Sequence, residues 1–140
     1  MTPRFDLIGI VVADMPASLA FYRSLGLDIP SSADTEPHVE VVLPGGVRLA
    51  WDTIDVIRSF DPDWQPPTGG TGISTAFLVD SPAEVDSTHD AAVAAGYGVH
   101  KAPWDAFWGQ RYATLIDPDG NHVDVFAPLR PSRTARREAR

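Results

Sequence analysis

Apolar and polar positions follow two rhythms along this chain, and the order of the rhythms occurs twice. FDLIGIVV at 5–12 is apolar and β-branched and ends before Asp14, which predicts a strand. DMPASLAFYRSLG follows as a helix. Asp14 can cap it, Pro16 suits the first turn, and Leu19, Phe21, Tyr22 and Leu25 give a helical rhythm that Gly26 stops. HVEVVL and VRLAW are predicted strands joined by PGG. The first half therefore reads β-α-β-β, with a further short strand expected near Leu27–Ile29.

The stretch containing DPDWQPPTGGTG reads as a linker by composition, joining two modules or folding over a site. ISTAFLV is then a strand, and SPAEVDSTHDAAVAAG a helix with Ser81 and Glu84 at capping-box spacing, Pro82 opening it and Gly96 closing it. YGVH reads as a short strand. RYATLI and HVDVFA form a last hairpin around DPDG. The repeated order is an internal duplication, because each half alone leaves a sheet face bare. The expected organisation is one domain, 1–129, with module one at 5–52, a linker at 53–72 and module two at 73–128. A basic tail at 130–140 is expected to be flexible.

Three blocks carry a family resemblance: FDLIGIVVADMPASLAFYRSLGL, GISTAFLVDSPAEVD and WGQRYATLIDPDGNHVDVF. Together they resemble the vicinal oxygen chelate superfamily of glyoxalase I, extradiol dioxygenases and bleomycin-type resistance proteins, over about residues 5–128. The resemblance implies an α+β fold in which paired βαβββ modules form a curved mixed sheet around a cavity, helices outside. It also implies a homodimer in which a neighbouring chain completes each cavity.

Metal-dependent relatives draw ligands from the first and last strands of each module. The resemblance puts the first ligand seven residues before Asp14, at Leu7, and the next six residues before Asp80, at Ser74. The third falls within VRLAWD, where Arg48 and Ala50 cannot serve; the fourth is Asp124. Leucine binds no cation, and serine is a poor ligand for zinc or iron. A single carboxylate does not hold a catalytic metal, so no metal and no cofactor is expected. A displaced set of His38, Glu40, His122 and Asp124 stays open as an alternative, since strand alternation puts each pair on one face. So does a rim position for either histidine. His89 and His100 read as ordinary. His122 and Asp124 stand about 7 Å apart as i,i+2 strand neighbours, too far for direct proton relay. No catalytic residue is assigned.

Composition sharpens the picture at two points. Four tryptophans stand at 51, 64, 104 and 108. Trp64 falls in the linker and Trp104, Phe107 and Trp108 in the loop PWDAFWGQ, where a flat ligand would find a stacking surface. Gly109 would let that loop approach closely. Strand alternation turns Arg111 toward the helices and an acid there, and Tyr112 toward the cavity. Asp52, Asp105 and Asp124 would add negative charge that suits a cationic or polar aromatic molecule. The expected ligand-binding residues are His38, Trp51, Trp64, Trp104, Phe107, Trp108, Tyr112, His122 and Asp124.

The formal charge of -8 disfavours nucleic acid as a partner, although five arginines follow Leu129. The absence of cysteine excludes disulfides and thiolate chemistry. The N-terminus has no cationic leader and no segment has the length to span a bilayer, so a cytoplasmic protein without membrane contact is expected. The function expected is metal-independent binding, and possible sequestration, of an aromatic or cationic small molecule such as an antibiotic. Two rivals remain: a lyase, isomerase or dioxygenase of the same superfamily with a non-standard metal site or none, and a regulatory dimer whose tryptophans pack on a partner.

Overall fold

The computed structural model describes residues 2–70 and 72–130. Apart from Arg130, the basic tail expected at 130–140 lies outside the described residues. The chain divides into two compact units, Met1–Thr68 and Gly69–Arg140.

The first unit runs β1 (Leu7–Val12), α1 (Met15–Ser24), a 3₁₀ turn (Ser31–Thr35), β2 (His38–Val42), β3 (Arg48–Thr53) and α2 (Ile54–Phe60). Asp14 caps α1 by accepting from the Ala17 N–H at 3.1 Å. The sheet order is β1-β3-β2, with β1 parallel and β2 antiparallel to β3. Register sorts its side chains onto two faces. Val12, Leu49 and Trp51 are buried with Leu19, Phe21 and Tyr22 of α1. The Trp51 ring meets Tyr22 edge-on at 5.5 Å. Full burial of such side chains contributes about 1.5–3 kcal/mol each. The opposite face carries His38, Glu40, Arg48 and Asp52.

The second unit runs β4 (Ser74–Leu78), α3 (Pro82–Ala94), β5 (Gly98–Ala106), β6 (Gln110–Ile116) and β7 (His122–Pro128), in sheet order β4-β7-β6-β5. Ser81 caps α3 through the Glu84 N–H, and Glu84 Oε2 accepts from the Asp80 N–H. Val85 of α3 is buried, as are Ala113, Leu115, Val123, Val125 and Ala127 on the covered face.

The structure corrects the expected architecture. The α+β class with strand and helix modules stands, but no single curved sheet closes around a cavity: the strands form two separate sheets. Each sheet buries one face beneath a helix of its own unit. The first unit is also one strand short. The expected strand near Leu27–Ile29 does not form, because Pro30 and the polar SSADT run turn the chain into a 3₁₀ segment. Two boundaries moved as well. α2 occupies the start of the expected linker, capped by Thr53. β5 runs nine residues, through the bulged stretch between Val99 and Trp104, well past the expected YGVH.

Candidate functional site

In the second unit, the face turned away from α3 gathers most of the expected residues. The β6–β7 register sets Tyr112 opposite Phe126 and Thr114 opposite Asp124, and β5 sets Trp104 opposite Tyr112. Strand alternation therefore places all five on one face. The hairpin joining β5 to β6 closes at Gly109, whose φ of +93° favours glycine. A Cβ there would meet nothing within 4 Å, so backbone conformation, not the expected close approach, requires the glycine.

The turn folds Trp108 back onto the sheet. Its ring meets Trp104 and Tyr112 edge-on, each at 5.4 Å, and Phe107 at 4.9 Å. Its Nε1 donates to Gln110 Oε1 at 2.8 Å, which fixes the indole. Tyr112 stacks on Phe126 at 5.9 Å. A continuous array thus runs Trp104–Trp108–Tyr112–Phe126. Lys101 Nζ sits 4.7 Å from the Trp104 ring centre and occupies that end.

Asp124 stands beside Tyr112, within the array. Tyr112 Oη donates to its Oδ2 and Thr114 Oγ1 to its Oδ1, both at 2.7 Å, and Ser74 Oγ lies 3.4 Å from Oδ2. These partners are neutral. Among the described residues no cation forms an ion pair with Asp124. Burial, and then the bond to Asp124, pushes the Tyr112 hydroxyl up to about 12.

The other acids expected here are already used. Asp105 pairs with Arg111 at 3.0 Å, and Arg111 turns toward α3 to meet Asp86 at 2.9 Å, as alternation predicts. Asp52 belongs to the first unit, where it holds His38.

His38 lies on the open face of the first sheet. Its Nδ1 is 2.5 Å from Asp52 Oδ1 and its Nε2 3.0 Å from Glu40 Oε2. Hydrogen bonds to the carboxylates of Asp52 and then Glu40 raise its pKa, and the bond to His38 lowers that of Glu40. Arg48 continues the network by bonding Glu40 and Asp6. A shallow cleft of about 340 Å³ runs beside His38 and Glu40.

Two further expected ligand residues, Trp51 and Trp64, also belong to the first unit. Trp51 is fully buried under α1, so it is core and touches no ligand from that position. Its β3 register turns it toward the helix. Trp64 is half-buried after α2, in a segment tied down by the Arg58 Nε bond to its carbonyl. His122 is exposed and its ring stacks on His100 at 4.3 Å. Phe107 is 91% exposed. Phe126, Thr114 and Gln110 were not anticipated as site residues, and Ser74 only as a metal position that serine fills poorly. The alternation that assigned Tyr112 and Asp124 to one face assigns Thr114 and Phe126 to it as well.

The donor set does not fit a metal. Within each unit the first and last strands are parallel: Leu7 pairs Arg48 and Gly9 pairs Ala50, as Ser74 pairs His122 and Ala76 pairs Asp124. Ala50 thus holds in module one the place that Asp124 holds in module two. Leu7 and Ala50 offer no donor, and the Asp124 oxygens are engaged by hydroxyls. Among the described residues no group of three or more His, Cys, Asp or Glu is placed to hold a metal ion. No helix among them is long and apolar enough to cross a membrane.

Comparison with solved structures finds close folds. A glyoxalase/bleomycin resistance protein/dioxygenase from Nocardioides is 26% identical with a TM-score of 0.70, covering 94% of this chain and 87% of that one. A protein from Agrobacterium tumefaciens, solved by NMR in solution, is 28% identical with a TM-score of 0.65, covering 91% of this chain and 98% of that one. A family enzyme from Burkholderia phytofirmans PsJN, 23% identical, shares the fold with a TM-score of 0.76 over 91% of this chain and 100% of its own. Comparison with the curated proteins finds no match. The model of the glyoxalase/bleomycin resistance protein/dioxygenase superfamily matches residues 4–125, and the chain belongs to that superfamily.

Proposed function

We propose that this protein binds a flat, cationic aromatic molecule on the open face of its second unit, without a metal, and sequesters it. The observation that carries the reading is Asp124: a carboxylate with only hydroxyl partners among the described residues, set beside Tyr112 in an array of aromatic rings. Rings of Trp108, Tyr112 and Phe126 offer apolar area and π faces to a planar ligand. Asp124 offers the countercharge, and a cation seated there gains an attraction that its present partners do not supply.

Binding of this kind needs no nucleophile or base. The His38–Asp52 pair, the arrangement closest to an acid–base dyad, has its second ring nitrogen occupied by Glu40. Sequestration is also the reading that suits antibiotic-binding members of the superfamily. A homodimer belongs to the same proposal. Its support is apolar surface left open on the second unit, where Ile73 and Leu78 are 71% and 66% exposed. Titrating the protein with planar aromatic cations, neutral analogues and anionic analogues while following tryptophan emission tests the reading. Saturable quenching by the cations alone is expected.

A further inference from the structure

We propose that the outer edge of β2 in the first unit binds an extended, arginine-rich segment of another protein chain as an added strand. This proposal does not depend on the aromatic face of the second unit.

The edge is open by construction. β2 ends the order β1-β3-β2, whereas the matching strand of the second unit, β6, is covered by β5. The chain that would supply the covering strand turns through Ser31–Thr35 instead. Backbone polarity is set by two bonds. Leu43 N–H donates to Val47 O and Thr53 N–H to Pro37 O, so residues 37, 39, 41 and 43 face β3. In an antiparallel ladder the intervening residues then point outward, which leaves the N–H and C=O groups of His38, Glu40 and Val42 for a partner. The strand gives about 17 Å of edge.

The shallow cleft of about 340 Å³ lies beside it. Its near wall is His38, Val39, Glu40 and Val41, and its far wall runs from Asp28 to Glu36. That far wall is anchored. Arg23 of α1 donates to the carbonyls of Ile29 and Pro30 at 2.7 and 2.8 Å and pairs with Asp34 at 2.8 Å. Ile29 and Ala33 are buried beneath it. Anchoring holds the cleft open to a partner without reorganisation.

Charge selects the occupant. Asp28, Glu36 and Glu40 line the cleft, Glu40 already paired with Arg48, and no lysine or arginine lines it. Asp28 and Glu36 form no ion pair among the described residues. A second copy of β2, HVEVV, brings no lysine or arginine to meet Asp28 and Glu36. An arginine-rich strand meets both the edge and its charge. Residues 130–140 of this chain, RPSRTARREAR, have that composition and supply the probe.

The experiment adds the synthetic peptide RPSRTARREAR, fluorescently labelled, to the full-length protein. Anisotropy reports binding and hydrogen exchange reports the β2 amides. Saturable binding is expected, with slowed exchange at His38, Glu40 and Val42. Asp28→Asn with Glu36→Gln is expected to weaken it about five-fold. Val42→Pro removes an outward donor without taking a β3 bond and is expected to weaken it about ten-fold. If Val42→Pro impairs folding, the doubly neutralised variant, altered only on the surface, decides alone. Absence of saturable binding up to about 1 mM overturns the proposal, as does binding indifferent to the variants. Protection of β2 amides that rises with protein concentration alone, and is unchanged in the Asp28→Asn, Glu36→Gln variant, also overturns it, by pairing the edge with a second β2.

Discussion

Tyr112 Oη donates a 2.7 Å hydrogen bond to Asp124 Oδ2, from neighbouring strands on the open face of the second sheet. The bond ties Asp124, which pairs with no cation among the described residues, to Tyr112 within the aromatic array. It orients the charge without neutralising it.

One consequence is a tyrosine that titrates late. Absorbance of the phenolate is expected to show one residue ionising near 12, and Tyr112→Phe removes that component. The sign follows from the raised value. The unfolded chain loses this proton near 10 and the folded chain near 12, so the contribution to stability is intact below about pH 10 and is lost as pH rises through 12.

A second prediction concerns His38. Asp52 and Glu40 favour its charged form, so its NMR titration midpoint lies above 6.5. The stability this adds is full below pH 6.5 and falls away as pH rises through the folded value. Asp52→Asn is expected to bring the midpoint down.

Trp51 separates core from site. Trp51→Ala is expected to destabilise the protein by about 3–5 kcal/mol in denaturant unfolding, because a fully buried ring leaves a cavity under α1. The variant chain at low temperature retains the binding proposed for the second unit. If Trp51 instead contacts the ligand, affinity falls with little change in stability.

Metal removal is expected to change nothing. Protein prepared without chelators should carry no stoichiometric zinc, iron, manganese or nickel, and dialysis against chelator should leave its melting temperature unchanged. The reason lies in the residues at 7, 50 and 74, which are Leu, Ala and Ser. Stoichiometric metal by elemental analysis contradicts this.

Helices and most strands were legible because their signals are local. Asp14 with Pro16, and Ser81 with Glu84, mark helix starts that the structure reproduces. Alternation sent Arg111 to α3 and Tyr112 to the open face. Long-range pairing has no such local mark. Nothing in the repeated strand order says that the strands close two sheets instead of one, and the resemblance led to the single curved sheet. Local composition misled at Trp104, where PWDAFWGQ read as a loop although its first half extends β5 through a bulge. At Trp51 it misled for another reason. A tryptophan ending a strand is equally open to either face until register is known, and register turned it to the helix. Phe126 and Thr114 were within reach, since both lie two residues from an identified site residue on the same strand.

Asp124 beside the aromatic array carries the proposed binding. The direct measurement is the affinity of a planar aromatic cation for the wild type and for Asp124→Asn, read by tryptophan quenching. Trp104→Phe with Trp108→Phe identifies which rings respond. Saturable binding, weakened by roughly five-fold in Asp124→Asn and with its quenching abolished in the double tryptophan variant, is predicted. Equal affinity in wild type and Asp124→Asn, or quenching that survives loss of Trp104 and Trp108, contradicts it.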